Sequence, residues 1–386
     1  MKLLFSAFVA LTFFVATTNS HASGNQTLNS QCPPSFDKNQ NGKCQLVSLY
    51  DFYDSPKGHG GFRVELPKLK KTYSPQQIDL GRILFFDPVL SKKQDLSCAS
   101  CHQLDKSLAD GRGRSISASD KTGKRGELNR GTPTLWNIAF HERFMWDGRS
   151  DDLAKQATLP LFSDVEMGNS PENLEKTLNA IPEYVDLFKQ AYAQAPNVEN
   201  TTDALAAFET SLISLNSRYD RYVHGDQNAL TEQEIRGHNA FRGFVGRCSQ
   251  CHVPPLFTDG EMAVIGAPQP DDIPLDKGAG ELSKDKFLMG AFRVPTLRNI
   301  TETAPYFHAG QFDSLEGVLG FYNDTRGHMA PAALSLKLHW HIHMTAGGKL
   351  TKENEKDIVA FLSSLEDETL LPQPPTRNPS GLPINQ

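Results

Sequence analysis

The chain has 386 residues, of which 38% are hydrophobic and 22% charged, and its formal net charge is −6. Mildly acidic and with charges of both signs interspersed, it presents no field suited to nucleic acid or an anionic membrane surface. Its length suits two domains, each large enough for its own core, and it carries no nucleotide-binding loop and no lipase-type serine motif.

Met1-Lys2 leads into an apolar run over residues 3–16, and Ser20-His21-Ala22 then offers small residues before a cleavage point. The pattern predicts a secretory signal peptide over residues 1–22 and export to the periplasm with no anchor left after cleavage. An uncleaved anchor is the alternative, although the run is short for a bilayer span. Residues 23–72 read as an N-terminal arm, extended and without a core over residues 45–72, where glycines, prolines and a lysine cluster break any helical period. Of the six cysteines, four fall into two tight pairs, which leaves Cys32 and Cys44 to form one disulfide in an oxidising compartment. That bridge would contribute at most about 3 kcal/mol on the chain-entropy estimate. Residues 37–42 resemble half of a calcium loop, but Ser48 stands where the bidentate Glu is needed, so they read as a turn.

Helices are predicted from Ser74, which caps, with Pro75 in the first turn, Gln77 completing a capping box, and Ile78, Ile83, Leu84 and Phe85 on one side. Cys98-Ala99-Ser100-Cys101-His102 follows. Two thiols three positions apart can reach the vinyl groups on one edge of a porphyrin, and the next histidine swings under the ring as proximal iron ligand. A redox dithiol or half a zinc site is the alternative for one such motif. The recurrence at Cys248-Ser249-Gln250-Cys251-His252, again behind a helix capped by Thr231 and Glu234, favours two covalent haems c in an exported chain.

The expected fold is therefore mainly α, as two c-type cytochrome domains over residues 73–230 and 231–370, each binding one haem. Residues 105–132 and 254–286 read as loops wrapping the haems, and residues 371–386 as a flexible proline-rich tail. His339, His341 and His343 alternate with Trp340 and Ile342, which reads as a half-exposed strand, with a copper or zinc site as the alternative. Trp136 and Trp340 read as core tryptophans.

The runs Gly131-Thr132-Pro133-Thr134-Leu135-Trp136-Asn137, Trp146-Asp147-Gly148-Arg149, Val165-Glu166-Met167, Val294-Pro295-Thr296-Leu297-Arg298-Asn299 and Ala304-Pro305-Tyr306-Phe307-His308 resemble the bacterial di-haem cytochrome c peroxidases, over about residues 74–366. The resemblance implies a helical two-domain fold in which an N-terminal haem reacts with hydrogen peroxide and a C-terminal haem relays electrons. It also implies a distal glutamate at Glu166, preceded by Gln156 and Pro160, and an inter-haem tryptophan at Trp146. Ordinary members carry a histidine in the loop after the first haem motif, and none occurs here between Gln103 and Phe140, so an open, five-coordinate first haem is expected.

Ordinary members ligate the second haem with a methionine, and Tyr322 stands in that place, as in the MauG-like branch; a slipped register would supply Met329 instead. Thioether ligation favours ferrous iron, whereas a phenolate favours oxidised iron, so His252 and Tyr322 together suit storage of an oxidising equivalent. The family also holds an interdomain calcium, for which Arg293, Pro295 and a shifted Asn129 are the candidates, since Gly131 stands at the usual asparagine. The expected activity is peroxide-driven formation of a high-valent di-haem state that oxidises a side chain on a periplasmic partner protein. The alternatives are an ordinary peroxidase fed by a small electron-donor protein and a non-catalytic electron carrier.

Overall fold

The computed structural model describes residues 26–55, 66–283, 285–325, 349–367 and 371–384. The signal peptide, Met329, His339, Trp340, His341 and His343 lie outside the described residues. Helices dominate: α1 (Leu49–Phe52), α2 (Pro75–Phe86), α3 (Leu153–Phe162), α4 (Pro171–Asn179), α5 (Pro182–Tyr192), α6 (Val198–Thr210), α7 (Arg218–Val223), α8 (Glu232–Arg242), α9 (Ala279–Ser283), α10 (Leu315–Thr325) and α11 (Lys352–Ser363). The described strands form three short antiparallel pairs: β1 (Phe36–Lys38) with β2 (Cys44–Leu46), β3 (Ile116–Ser119) with β4 (Arg125–Glu127), and β5 (Met262–Ala263) with β6 (Phe292–Arg293). No described helix is long and apolar enough to cross a membrane.

Two units share one plan. α2 starts on a capping box in which Ser74 Oγ accepts from Gln77 N and Gln77 Oε1 accepts from Ser74 N, and α8 repeats it with Thr231 and Glu234. Midway, Gly81 lets α2 cross α6 so closely that a Cβ there would lie 1.8 Å from Ala204 O. Gly237 does the same between α8 and α11, 1.8 Å from Asp357 O. The first crossing buries Leu80, Ile83, Phe85 and Phe208; the second buries Phe241, Phe257, Phe361 and Leu362.

The pseudo-repeat meets at one residue. Asn137 and Asn299 end the two Pro-Thr-Leu-x-Asn runs with φ of 59° and 57°, a left-handed conformation that Asn tolerates better than most residues. Asn137 Nδ2 donates to Ser214 O at 2.9 Å and Asn299 Nδ2 to Ser214 Oγ at 2.8 Å, so the fully buried Ser214 joins both units. Tyr219 on α7 packs into the second core, which places α7 with the second unit and moves the boundary N-terminal to the expected 230.

Two further expectations need correction. Cys32 and Cys44 form the expected disulfide, but residues 45–72 are not coreless, since Leu49 is buried in a cluster with Phe140, Leu215 and Leu256. The tail is not free over residues 371–384. Ser380 Oγ donates to Asp87 Oδ1 at 2.7 Å, Arg377 Nη1 reaches Glu183 Oε2 at 2.7 Å, and Leu382 and Ile384 pack on the first core. Its prolines reduce the entropy that docking must overcome, so a few contacts suffice.

Candidate di-haem site

Each CxxCH motif forms a 3-10 turn behind α2 or α8, which sets its two cysteines on one side; the four thiols are free of disulfides. His102 Nδ1 lies 2.9 Å from Leu108 O and His252 Nδ1 lies 3.1 Å from Phe257 O. A carbonyl accepting from Nδ1 fixes the tautomer that leaves Nε2 free for iron. Burial lowers the pKa of both rings, that of His252 to about 4, so both stay in the neutral, ligating form at physiological pH. These residues fit two covalently held haems.

Glu166 lies on the turn after α3. Its N donates to Ser163 O at 3.0 Å, while Met167 N reaches the carbonyl of Pro160, inside α3, at 3.1 Å. Gln156, one turn earlier on α3, brings Nε2 to 3.4 Å from Met145 Sδ. Burial raises the Glu166 carboxyl above the usual range, with Arg149 opposing.

Trp146 bridges the units: its Nε1 donates to Gly131 O at 2.8 Å and its carbonyl accepts from Arg293 N at 2.8 Å. It shares a cavity of about 260 Å3 with Cys248, Cys251, His252 and Tyr322. Tyr322, on α10, lines that cavity, and burial, with the Cys248 and Cys251 thiols after it, raises its phenol above the usual value.

The calcium candidates do not fit together. Asn129 is exposed, and the Pro295 carbonyl lies against the His252 ring. The nearby carboxylates are already engaged: Asp147 and Asp276 each lie 2.7 Å from Arg130, and Asp147 also lies 2.8 Å from Arg149, so neither is free for a cation.

Two buried residues, His141 and Glu209, went unread in the sequence, and a third, Arg293, was read there only as a calcium candidate. His141 and Arg293 face each other, Arg293 Nη1 lying 3.1 Å from Nδ1 and 3.0 Å from Nε2 of the ring. Glu209 on α6 is 6% exposed, its carboxyl is pushed up to about 8 by burial, and its charge raises the Cys98 thiol. A lone Glu after Ala206-Ala207-Phe208 and a lone Arg between Phe292 and Val294 were the available signals.

The family model of the di-haem cytochrome c peroxidases matches residues 75–228. The methylamine utilization protein MauG of Methylorubrum extorquens is 33% identical over 78% of this chain and 82% of its own length. This chain belongs to the di-haem cytochrome c peroxidase family. As a member it is an oxidoreductase of peroxidase type, and the family implies two haems c. The cytochrome c551 peroxidase of Pseudomonas aeruginosa is similar to this di-haem peroxidase at 34% identity over 76% of the chain and 79% of the relative. Among solved structures, a MauG-like protein associated with microbial copper homeostasis aligns with a TM-score of 0.68 at 29% identity, covering 82% of this chain and 95% of that one. The diheme peroxidase BthA of Burkholderia thailandensis aligns with a TM-score of 0.66 at 25% identity, covering 89% and 96%.

Proposed function

We propose that this di-haem peroxidase is of the MauG type, using hydrogen peroxide in the periplasm to oxidise a tryptophan or tyrosine side chain on a partner protein. The observation that carries the reading is Tyr322, held on α10 beside Cys248 and Cys251 in the same cavity as His252. When bound, the two haems supply the iron that reacts with peroxide and the conjugated rings over which the oxidising equivalents are shared.

The protein's own groups do the rest. Glu166 takes the proton from the near oxygen of peroxide and returns it to the leaving oxygen, and its burial-raised pKa suits a group that must both accept and release a proton. The Pro160 carbonyl, accepting from Met167 N, holds the turn that presents it, and Gln156 lies one helical turn earlier on α3. No histidine between Gln103 and Phe140 is available to cap the first iron, which leaves a face for peroxide. Trp146, hydrogen-bonded to both units, relays oxidising equivalents between them. Tyr322 is the residue that would hold the second iron, as phenolate, and such a ligand would disfavour the ferrous state.

The near-equal identity to MauG and to a cytochrome c551 peroxidase, 33% and 34%, supports an ordinary peroxidase as the second reading, with Met329 as the ligand. Tyr322→Met separates the two. If Tyr322 is the ligand, the variant's second haem gains a methionine-to-iron absorption band and a higher potential, and oxidation of a partner side chain slows or stops while turnover with a small electron donor improves. The measurements are a redox titration and stopped-flow spectra. A wild-type protein that already shows the methionine band and a high-potential haem overturns the MauG reading.

A further inference from the structure

Arg293 is 4% exposed, and no carboxylate among the described residues pairs with it. Among the described residues its Nη1 meets only the imidazole of His141, itself 4% exposed, and its buried Nε has no partner. Burial is costly for a charge without a counter-ion, and buried charges are ordinarily paired. The contrast with the neighbouring cations sharpens the point. Arg130 is held by Asp147 and Asp276, and the equally buried Arg298 is held by Asp220, with Nη2 2.7 Å from Oδ1. Arg293 and His141 both line the cavity that contains Cys248, Cys251, His252 and Tyr322.

We propose that Arg293, backed by His141, is a built socket for a carboxylate, and that a propionate of the second haem fills it. The backbone fixes the socket: Arg293 pairs with Met262 across β5–β6, and its N donates to Trp146 O at 2.8 Å. The guanidinium therefore cannot withdraw to solvent without opening the junction between the units. His141, kept neutral by burial and by the adjacent guanidinium, packs against the arginine without competing for the anion. A propionate held here would be neutralised in the folded protein, and the Trp146 carbonyl would be tied through one residue to the periphery of the second haem. Arg293 is thus a positioning residue for the second haem.

The same carboxylate-binding chemistry could be met by a free anion such as chloride, and the test separates the two sources. It uses the holoprotein, with both haems counted by their haemochrome absorbance, in wild type, Arg293→Met and Arg293→Lys. Removing the positive charge leaves the propionate uncompensated near the iron, which favours the ferric state. The second haem's midpoint should fall in Arg293→Met by at least the equivalent of a tenfold change in its redox equilibrium, about 59 mV for one electron. Arg293→Lys should keep most of the wild-type value. Redox-difference infrared spectra of protein carrying haem labelled with 13C at the propionates should show the labelled carboxylate band shifted between wild type and the Lys variant, which decides the matter if the Met variant fails to retain its second haem.

An unchanged midpoint in Arg293→Met, or a labelled band that ignores the Lys substitution, overturns the proposal. So does a wild-type midpoint that moves when chloride replaces gluconate at constant ionic strength, because the occupant would then be a free anion. The inference rests on the two covalent haems and not on Tyr322. A wild-type haem of high potential would overturn the MauG reading and leave the Arg293 difference to be measured as before.

Discussion

Gly81→Ala tests how the first haem site is carried by helix packing. A Cβ at this position would lie 1.8 Å from Ala204 O, 2.6 Å from its carbonyl carbon and 2.9 Å from Phe208 Cβ. Ordinary contact begins near 3.4 Å, so α2 and α6 must part by about 1.6 Å. The obstacle is helix backbone, which has no rotamer to change, so the cost falls at the upper end of the ~1–3 kcal/mol seen for overpacked cores. The better helix propensity of alanine offsets at most about 1 kcal/mol of it. A net loss of ~2 kcal/mol lowers the melting midpoint of a unit this size by roughly 4–8 °C. The displacement also reaches the haem ligand, because the Phe85 ring packs 5.0 Å from Phe208 and 6.3 Å from His102.

Calorimetry and ferric-state spectra of the holoprotein should therefore show a lower midpoint and an altered first-haem signal, with the second haem unchanged. Gly237→Ala, which meets Asp357 O at 1.8 Å, should show the reverse assignment. Melting midpoints equal to wild type, or both haems responding alike to either substitution, would refute the idea that each crossing supports its own haem.

For Glu166→Gln, both haems should be retained while reaction with peroxide slows by about 10²-fold or more, the usual scale for a lost acid-base group. Because the ionised carboxylate is the base and burial raises its pKa, the wild-type rate should fall on the acid side at a higher pH than for an ordinary glutamate. Stopped-flow rates across pH should lack that limb in the variant; an unchanged rate removes Glu166 from the mechanism.

Glu209 makes a stability prediction of definite sign. Its carboxyl is raised from 4.5 to about 8 in the folded protein, so it is neutral there and ionises more readily when unfolded. Its contribution is intact below the unfolded value and is lost as pH rises from 4.5 toward 8, by on the order of 4 kcal/mol. Urea unfolding of Glu209→Gln should show a flatter pH dependence than wild type through that window, and parallel curves would count against it.

What could be read from the residues alone was what short-range chemistry dictates. Thiol spacing in Cys98-Ala99-Ser100-Cys101-His102 and its counterpart follows from the width of a porphyrin edge, and the capping boxes at Ser74 and Thr231 close within three residues. The family's runs at residues 131–137 and 294–299 were equally visible, but not that both end on Ser214.

Tertiary structure decided burial, and burial changed the meaning of several residues. A proline-rich tail looked solvated until Ser380 met Asp87, 293 positions earlier. Residues 45–72 looked coreless until Leu49 met Phe140, Leu215 and Leu256. An arginine in a sequence is presumed to be hydrated; the structure sets Arg293 apart because His141, 152 residues away, is its neighbour and no carboxylate among the described residues is. Local rules act through neighbours along the chain and so are written in it. Desolvation acts through neighbours in space, which the chain order does not record.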